Sequence, residues 1–203
     1  MHSSAPMWQI EQAVRQKGYV QIAGIDEAGR GPLAGPVVSA AVILPADFSC
    51  PGITDSKKLS EKKRKSMFPK IMAQAVSVSV GLCDHKEIDA THILAAALLS
   101  MKRAVINLDT VPDYLLVDGK FTLDMDISQE AVVKGDCLSI SIAAASIIAK
   151  VTRDRIMTTL HQTYPEYQFI RHKGYPTSAH REILKEVGPC PVHRKTFKGV
   201  IQG

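Results

Sequence analysis

Tyr114-Leu-Leu-Val117 is an unbroken apolar run that ends at the polar pair Asp118-Gly119. Apolar residues without alternation indicate a strand that is covered on both faces, as in the middle of an α/β sheet. Three earlier segments are also typical of strands: Tyr19–Ile25, Val37–Leu44 and the alternating Val76–Val80. Because these three segments follow one another along the chain, we expect them to form an antiparallel meander.

Helices are predicted between and after these strands. Ser60 is suited to cap a basic helix, and Thr91 is suited to cap a longer one. A short strand at Ala131–Val133 precedes a long helix from about Ser139 to Leu160, and a last helix covers Ala179–Val187. The predicted order is strands first, then alternating helices and strands, then helices. This order favours a mixed α/β sheet flanked by helices.

The composition is typical of one globular domain. The chain has 203 residues, of which 45% are hydrophobic, which is enough for one sizeable core and short for two. We expect residues 1–163 to form the α/β domain and residues 164–203 to add a small helical extension. No run approaches the roughly 18 apolar residues of a membrane span. Residues 1–6 lack the basic and apolar segments of a secretion signal, so we expect a cytoplasmic protein.

The cysteines indicate neither a zinc site nor a disulfide framework, because they are far apart and form no C-x-x-C pair. They are Cys50, Cys83, Cys137 and Cys190. We expect buried thiols in the reduced state.

Positive charge is concentrated in the last quarter of the chain. Residues 150–203 contain ten Lys or Arg against four Asp or Glu, whereas residues 1–149 contain fifteen against sixteen. A second basic cluster consists of Lys57, Lys58, Lys62, Lys63, Arg64, Lys65 and Lys70. Both regions suit a polyanion, whose phosphates gain from neutralisation and counterion release. A solvated helix face explains Lys62–Lys65 as well.

Acidic residues stand where apolar strands end, and they are Asp26, Glu27, Asp118 and Asp136. In open α/β sheets the strand ends border the ligand-binding crevice, so these side chains can converge although they are distant in sequence. Like charges a few ångströms apart are costly unless a proton or a cation is shared, and hard divalent ions prefer oxygen ligands. We therefore predict a metal site, with magnesium as the first choice and manganese as its substitute.

Two such ions would activate a water and stabilise the leaving oxygen of a phosphodiester in an in-line displacement. The site has one geometric requirement. Neighbouring residues on a strand point to opposite faces, so Asp26 and Glu27 reach one site only if the strand ends or twists there, which Ala28-Gly29 permits. Asp84, by contrast, is expected to be a turn or helix-cap residue.

Gly29-Arg30-Gly31 follows the first acidic pair. Two glycines let the backbone approach a ligand closely, and Arg30 offers paired donors to a phosphate. The spacing matches neither a Walker motif nor the G-x-G-x-x-G of dinucleotide sites. A tight turn explains the glycines equally well.

Aromatic residues cluster late in the chain. Tyr175 stands between Gly174 and Pro176, and the proline holds it extended. An exposed ring there can stack on a sugar or base, or hydrogen-bond the 2′-hydroxyl that distinguishes RNA from DNA. The neighbouring aromatic residues are expected to be core or interface residues, and they are Tyr164, Tyr167 and Phe169.

Five segments, in order along the chain, resemble the ribonuclease HII family. They are Gly24–Pro36, Asp55–Leu59, Val117–Gly119, Lys134–Asp136 with Ala143–Asp154, and His172–Thr177. Together they span nearly the whole chain, and five motifs in order are far more specific than one.

The resemblance implies a ribonuclease H-like mixed five-stranded sheet flanked by helices, with a C-terminal helical extension that contributes to substrate binding. It also implies an endoribonuclease that hydrolyses the RNA strand of RNA–DNA hybrids and cuts 5′ of ribonucleotides embedded in duplex DNA. The products would carry a 3′-hydroxyl and a 5′-phosphate, and the cofactor would be Mg²⁺ or Mn²⁺. A monomer is expected.

The resemblance also assigns residues. The metal-binding and catalytic residues would be Asp26, Glu27, Asp118 and Asp136, and the ribonucleotide would be recognised by Gly29, Arg30, Gly31 and Tyr175. Asp154 also lies in a matching segment, but a surface pair with Lys150, one helical turn away, explains it.

Two other functions stay open at this point. One is a phosphoryl transferase that acts on DNA alone through the same carboxylates. The other is a non-catalytic nucleic-acid-binding module, whose carboxylates hold a structural metal. A duplex with one embedded ribonucleotide separates these possibilities.

Overall fold

The computed structural model describes residues 6–54 and 56–200, so residues 1–5, Asp55 of the second motif and residues 201–203 of the predicted extension lie outside the described residues. Its centre is a five-stranded sheet with the strand order β3-β2-β1-β4-β5. The strands are β1 (Ile22–Ala28), β2 (Val37–Ile43), β3 (Ser77–Cys83), β4 (Tyr114–Asp118) and β5 (Ser128–Val132). β1, β2 and β3 pair antiparallel, while β4 and β5 run parallel to β1. The predicted meander and mixed sheet are confirmed.

Helices cover both faces of this sheet. In the described part of the chain they are α1 (Gln9–Gln16), α2 (Glu61–Gln74), α3 (His85–Ala90), α4 (Ile93–Ile106), α5 (Ile140–Thr163), α6 (Phe169–His172) and α7 (Ser178–Val187). α5 lies against β1 and β2, and α4 lies against β2 and β3 on the opposite face. Within residues 6–54 and 56–200, none of the helices has both the length and the apolar character that crossing a bilayer requires.

α5 lies directly against β1 because β1 has a glycine at the crossing. A Cβ atom on Gly24 would lie 2.2 Å from the backbone carbon of Ser141. On the other face, Ala23 and Ile25 pack with Met101 of α4 in a separate core. The close approach places the middle of α5 beside the carboxyl end of β1.

Local capping chemistry explains where several helices begin. Ser60 accepts a hydrogen bond from the backbone N–H of Lys63 over 3.3 Å, and Ser139 accepts one from Ile142 over 3.2 Å. The predicted cap at Ser60 and the predicted start of the long helix are therefore confirmed.

The prediction that Thr91 caps the longer helix is wrong. Asp84 begins a short helix through a capping box with Glu87, and Thr91 ends that helix. His92 caps α4 instead, and its Nδ1 accepts the N–H of Ala95 over 3.2 Å. Asp84 is a helix-cap residue, as expected.

The chain after α5 packs on the loop between β1 and β2. Tyr167 and Phe169 are buried against Leu33 and Met157, and Tyr164 is partly buried in the same cluster. The prediction that these aromatic residues belong to a core is confirmed. All four cysteines are free thiols, of which Cys137 is half-buried and the other three are buried.

Candidate active site

Parallel pairing of β1 and β4 places two of the predicted carboxylates side by side. The register pairs Ile25 with Val117, and the next residue along each strand is Asp26 or Asp118. Carboxylate oxygens of Asp26, Glu27 and Asp118 all lie within 4.8 Å of one another. Three of the four acidic residues that the sequence singles out are therefore in one cluster, although Asp26 and Asp118 are 92 residues apart along the chain.

Glu27 belongs to this cluster although neighbouring side chains on a strand, such as those of Asp26 and Glu27, point to opposite faces of the sheet. The strand ends at Ala28, and Gly29 then takes a φ of 103°. A Cβ atom on Gly29 would lie 2.1 Å from Nε of Arg153, so the turn requires glycine at this position. The backbone N–H of Glu27 donates to Oδ1 of Asp26 over 2.7 Å, which fixes the first carboxylate.

Burial and mutual repulsion make the cluster costly when it is fully ionised. Burial, followed by the charges of Glu27 and Asp118, raises the pKa of Asp26 well above its ordinary value. Burial also raises the pKa of Glu27, although the guanidinium of Arg30 opposes this shift. An all-oxygen set of closely spaced carboxylates that resists ionisation fits a hard divalent cation, which supplies the missing positive charge.

Asp136 lies next to this cluster and outside the group of three. It belongs to a short 3₁₀ turn, Gly135–Cys137, and is only 5% exposed. Its Oδ2 lies 3.8 Å from Nζ of Lys57. The preceding residue, Gly135, donates its backbone N–H to Oδ1 of Asp118 over 2.7 Å, so the turn that carries Asp136 is tied to the cluster.

Glu27 of the carboxylate cluster lines a cleft of about 360 Å³. The cleft is lined by Glu27, Ala28, Gly29, Arg30, Gly31, Ser56, Lys57, Ser146, Lys150 and Tyr175. The ring of Tyr175 is beside the glycine loop, Gly29-Arg30-Gly31, because a Cβ atom on Gly31 would lie 3.6 Å from its Cε1. Arg30 is exposed, and its Nη1 lies 3.4 Å from Oε1 of Glu27.

Two residues of α5 belong to the site but were not identified as such from the sequence. Ser146 hydrogen-bonds Asp26 and lies 2.7 Å from the hydroxyl of Ser56. Lys150, one turn further along α5, lines the cleft and pairs with Asp154 over 2.5 Å. The predicted surface pair is wrong in its location, since Asp154 is only 6% exposed. The four-residue spacing of Ser146 and Lys150 was the available signal, because it places both on one helix face.

Known proteins share this sequence and fold. The family model described as Ribonuclease HII matches residues 23–200. Ribonuclease HII of Syntrophotalea carbinolica is 53% identical over 191 residues, which cover 94% of this chain and 91% of that protein. The crystal structure of ribonuclease H2 from Pyrococcus horikoshii superposes with a TM-score of 0.78 at 30% identity, over 89% of this chain and 95% of that one.

A further similar structure is that of the RNase HII in its complex with PCNA from Archaeoglobus fulgidus. It superposes with a TM-score of 0.73 at 27% identity, over 91% of this chain and 98% of that chain. These similarities extend over both the sheet and the C-terminal helices. With the family model spanning nearly all of the described residues, the chain belongs to the ribonuclease HII family.

Proposed function

We propose that this protein is a metal-dependent endoribonuclease that hydrolyses the RNA strand of RNA–DNA hybrids and cuts 5′ of ribonucleotides embedded in duplex DNA. The observation that carries the proposal is the cluster of Asp26, Glu27 and Asp118, of which Glu27 lines a cleft together with Gly29-Arg30-Gly31 and Tyr175. Membership of the ribonuclease HII family supports the same function. The products carry a 3′-hydroxyl and a 5′-phosphate.

Asp26, Glu27 and Asp118 would hold Mg²⁺ or Mn²⁺, and Asp136 would complete the metal-binding and catalytic set. Cations bound there supply the charge that activates a water and stabilises the leaving oxygen. The protein keeps the acceptors in place: Asp26 is held by the N–H of Glu27, and Asp118 is held by the N–H of Gly135. Such preorganised ligands need no rearrangement when the substrate arrives.

Recognition of the ribonucleotide is assigned to the loop Gly29, Arg30, Gly31 and to Tyr175. Gly31 lies against the Tyr175 ring, which is 40% exposed, so the loop backbone and the ring border the same part of the cleft. An aromatic ring and closely approaching backbone groups are suited to reading a 2′-hydroxyl. Arg30 would exchange its contact with Glu27 for a phosphate oxygen of the substrate.

A second cleft, of about 350 Å³, supports binding of a polyanion. Its charged lining residues are predominantly basic: Arg64, Lys65, Arg155 and Lys173 against Glu61 and Asp154. The two clefts adjoin each other, because Asp154 lines the second and pairs with Lys150, which lines the first. Phosphates on either side of the cleavage point would lie along this basic surface.

The remaining features of the proposal concern organisation. Residues 1–163 would form the catalytic domain, and residues 164–203 the extension that contributes Tyr175 to substrate binding. The protein would act as a monomer in the cytoplasm, where its free thiols stay reduced and its nucleic-acid substrates are found. Sedimentation of the purified protein tests the monomeric state.

A cleavage assay tests the function. The substrates are a DNA duplex with one embedded ribonucleotide, the matching all-DNA duplex and an RNA–DNA hybrid, each with Mg²⁺, Mn²⁺ or a chelator. We expect metal-dependent cutting on the 5′ side of the embedded ribonucleotide. In the RNA–DNA hybrid we expect metal-dependent cutting of the RNA strand. Cutting of the all-DNA duplex alone would favour a DNA-specific enzyme, and binding without any cutting would favour a non-catalytic module.

A further inference from the structure

Arg194 is fully buried beneath the glycine loop and binds its backbone. Its guanidinium donates to the carbonyl oxygens of Gly29 over 2.6 Å, Arg30 over 3.0 Å and Gly35 over 3.0 Å. Burial lowers the pKa of Arg194 to about 9, so the group keeps its charge at neutral pH. Each of the three guanidinium nitrogens therefore donates to a carbonyl of the same loop.

These contacts determine where the loop presents its donors. In a trans peptide the C=O and the following N–H point in opposite directions. The carbonyls of Gly29 and Arg30 face the buried Arg194, so the N–H groups of Arg30 and Gly31 face away from it. Gly29, Arg30 and Gly31 line the cleft with Tyr175 and Arg194 does not, so we infer that these N–H groups face the cleft.

A chain of histidines supports Tyr175 in a similar way. His180 and His193 are fully buried, and their Nε2 atoms are 3.0 Å apart. Nδ1 of His180 lies 3.0 Å from the carbonyl oxygen of Tyr175, and the N–H of Cys190 lies 3.0 Å from Nδ1 of His193. Burial lowers the pKa of both imidazoles to about 4, so both rings are neutral at pH 7.

Neutral rings allow one arrangement of protons in this chain. The Tyr175 carbonyl only accepts, so His180 carries its proton on Nδ1 and accepts on Nε2. His193 must then donate from Nε2, and its Nδ1 accepts the N–H of Cys190. The hydrogen bonds therefore run in one direction, from the Cys190 backbone to the Tyr175 carbonyl, and each ring nitrogen has a partner.

The residues that hold the glycine loop and the Tyr175 backbone are neighbours in sequence, because His193 directly precedes Arg194. Ala34 pairs with His193 as an isolated β-bridge, and the N–H of Arg194 donates to the carbonyl of Leu33 over 2.8 Å. From one short segment, His193 supports Tyr175 through His180, while Arg194 supports Gly29 and Arg30. The loop and the ring are thus fixed relative to each other.

Packing alone does not account for these residues. Burying a charged guanidinium and two imidazoles costs free energy that apolar side chains of similar volume would not. Contacts that offset this cost include those to the backbone carbonyls of Gly29, Arg30 and Tyr175, which line the cleft. Directed hydrogen bonds of this kind specify backbone orientation, which apolar packing does not.

We propose that His180, His193 and Arg194 are positioning residues for ribonucleotide recognition: they hold the Tyr175 backbone and the Gly29–Arg30 carbonyls so that the ring and the loop N–H groups face the substrate sugar. This inference rests on the proposed function. It names residues that need not touch the substrate, and it assigns the C-terminal extension a role in selectivity as well as in packing.

Two substitutions of His180 separate positioning from packing. The amide nitrogen of Asn occupies the place of Nδ1, so His180→Asn keeps a donor for the Tyr175 carbonyl and loses the contact with His193. Gln reaches the place of Nε2, so His180→Gln keeps the contact with His193 and loses that donor. The measurements are kcat and KM on a duplex with one embedded ribonucleotide, the Kd for an all-DNA duplex in chelator, and the midpoint of thermal unfolding.

We expect His180→Gln to lower kcat/KM about tenfold, mainly through kcat, and His180→Asn to stay within about threefold of the unsubstituted enzyme. The Kd for all-DNA duplex should stay within about twofold in both. Parallel losses in the two variants, or retention in both, would overturn the role of His180. Absence of cleavage by the unsubstituted enzyme would instead reject the proposed function.

Arg194→Lys is the second variant, and it keeps the charge but not the fork of donors. Its control is Arg103→Lys, because Arg103 also donates to a carbonyl, that of Leu82, but from α4 on the other face of the sheet. Arg103 is 40% exposed whereas Arg194 is fully buried, so the unfolding midpoint and the Kd for all-DNA duplex are measured for both variants, and we expect that Kd to stay within about twofold. We expect Arg194→Lys to lower kcat/KM on the embedded ribonucleotide about tenfold, with little change for Arg103→Lys. Equal activity of these two variants would overturn the role of Arg194, whatever the His180 variants do.

Discussion

The backbone N–H of Gly135 donates to Oδ1 of Asp118 over 2.7 Å and links the end of β4 to the turn that carries Asp136. A Cβ atom on Gly135 would lie 2.5 Å from Cδ1 of Ile142 and 3.2 Å from Oδ1 of Asp118, so the turn packs closely against the end of β4. The hydrogen bond leaves the other oxygen of Asp118 available to the cluster with Asp26 and Glu27. The same contact therefore orients one carboxylate and places a fourth one nearby.

Divalent cations should stabilise the folded protein through this cluster. A ligand that binds only the folded state, at one hundred times its Kd, adds about 2.7 kcal/mol to the free energy of unfolding. We expect Mn²⁺ or Mg²⁺ to raise the unfolding midpoint of the protein by several degrees and to have little effect on Asp118→Asn. Scanning calorimetry with and without each metal measures this, and equal shifts in both proteins would place the bound metal elsewhere.

Without metal, Asp26→Asn should be more stable than the unsubstituted protein. Burial and the neighbouring carboxylates raise the pKa of Asp26 above its ordinary value of 3.8, so the folded state binds this proton more tightly than the unfolded state does. The free energy of unfolding therefore falls as pH rises from about that value through the raised pKa.

The stability difference has a defined pH dependence. In chelator at pH 7 we expect Asp26→Asn to unfold about 3 °C or more above the unsubstituted protein, and the gap should shrink as the pH falls toward 4. Thermal unfolding across that pH range measures the gap. A gap that is constant with pH, or of opposite sign at pH 7, would contradict the electrostatic account of the cluster.

Tyr175→Ala should weaken the preference for a ribonucleotide. Stacking on an aromatic ring contributes about 1–3 kcal/mol, so we expect kcat/KM on the embedded ribonucleotide to fall about tenfold or more. Tyr175→Phe separates the ring from the hydroxyl, and Phe121→Ala serves as a control because Phe121 is 51% exposed and does not line the cleft. If the affinity of Tyr175→Ala for the all-DNA duplex falls by the same factor as its kcat/KM on the embedded ribonucleotide, Tyr175 has a packing role.

The basic cleft should be visible in the salt dependence of binding. Lys65 lines that cleft and pairs with Glu61 over 2.6 Å, whereas Lys102 lies on α4 outside the cleft and pairs with Asp124 over 3.1 Å. Removing one phosphate contact reduces the slope of log K against log salt by about 1. We expect this change for Lys65→Gln and none for Lys102→Gln in titrations of an RNA–DNA hybrid. Unchanged slopes in both would remove the second cleft from the substrate path.

Much of the sheet follows from local sequence patterns. The apolar run Tyr114–Val117 and the alternating segment near Val78 indicate strands because each pattern matches the number of faces that are buried. The start of α3 was less apparent, because Asp84 is as suited to a turn as to a cap. Because α3 was not predicted, Thr91, which ends α3, was predicted as the cap of α4 in place of His92.

The carboxylate cluster was predictable because Asp26 and Asp118 each follow an apolar strand, and parallel strands end at the same edge of a sheet. The contacts by which Arg194 holds the glycine loop could not be predicted from the sequence. Arg194 and Gly29 are 165 residues apart, and no local pattern distinguishes a buried arginine from an exposed one. Tertiary contacts of this kind depend on packing that sequence periodicity does not report.

The most direct measurement is cleavage of a duplex with one embedded ribonucleotide by Asp26→Asn and Asp118→Asn, alongside their binding to an RNA–DNA hybrid. If these carboxylates hold the catalytic cations, kcat falls about a thousandfold or more, about 4 kcal/mol of transition-state stabilisation, while the Kd for the hybrid stays within a few-fold. Unchanged turnover in both variants would contradict the assignment of the active site.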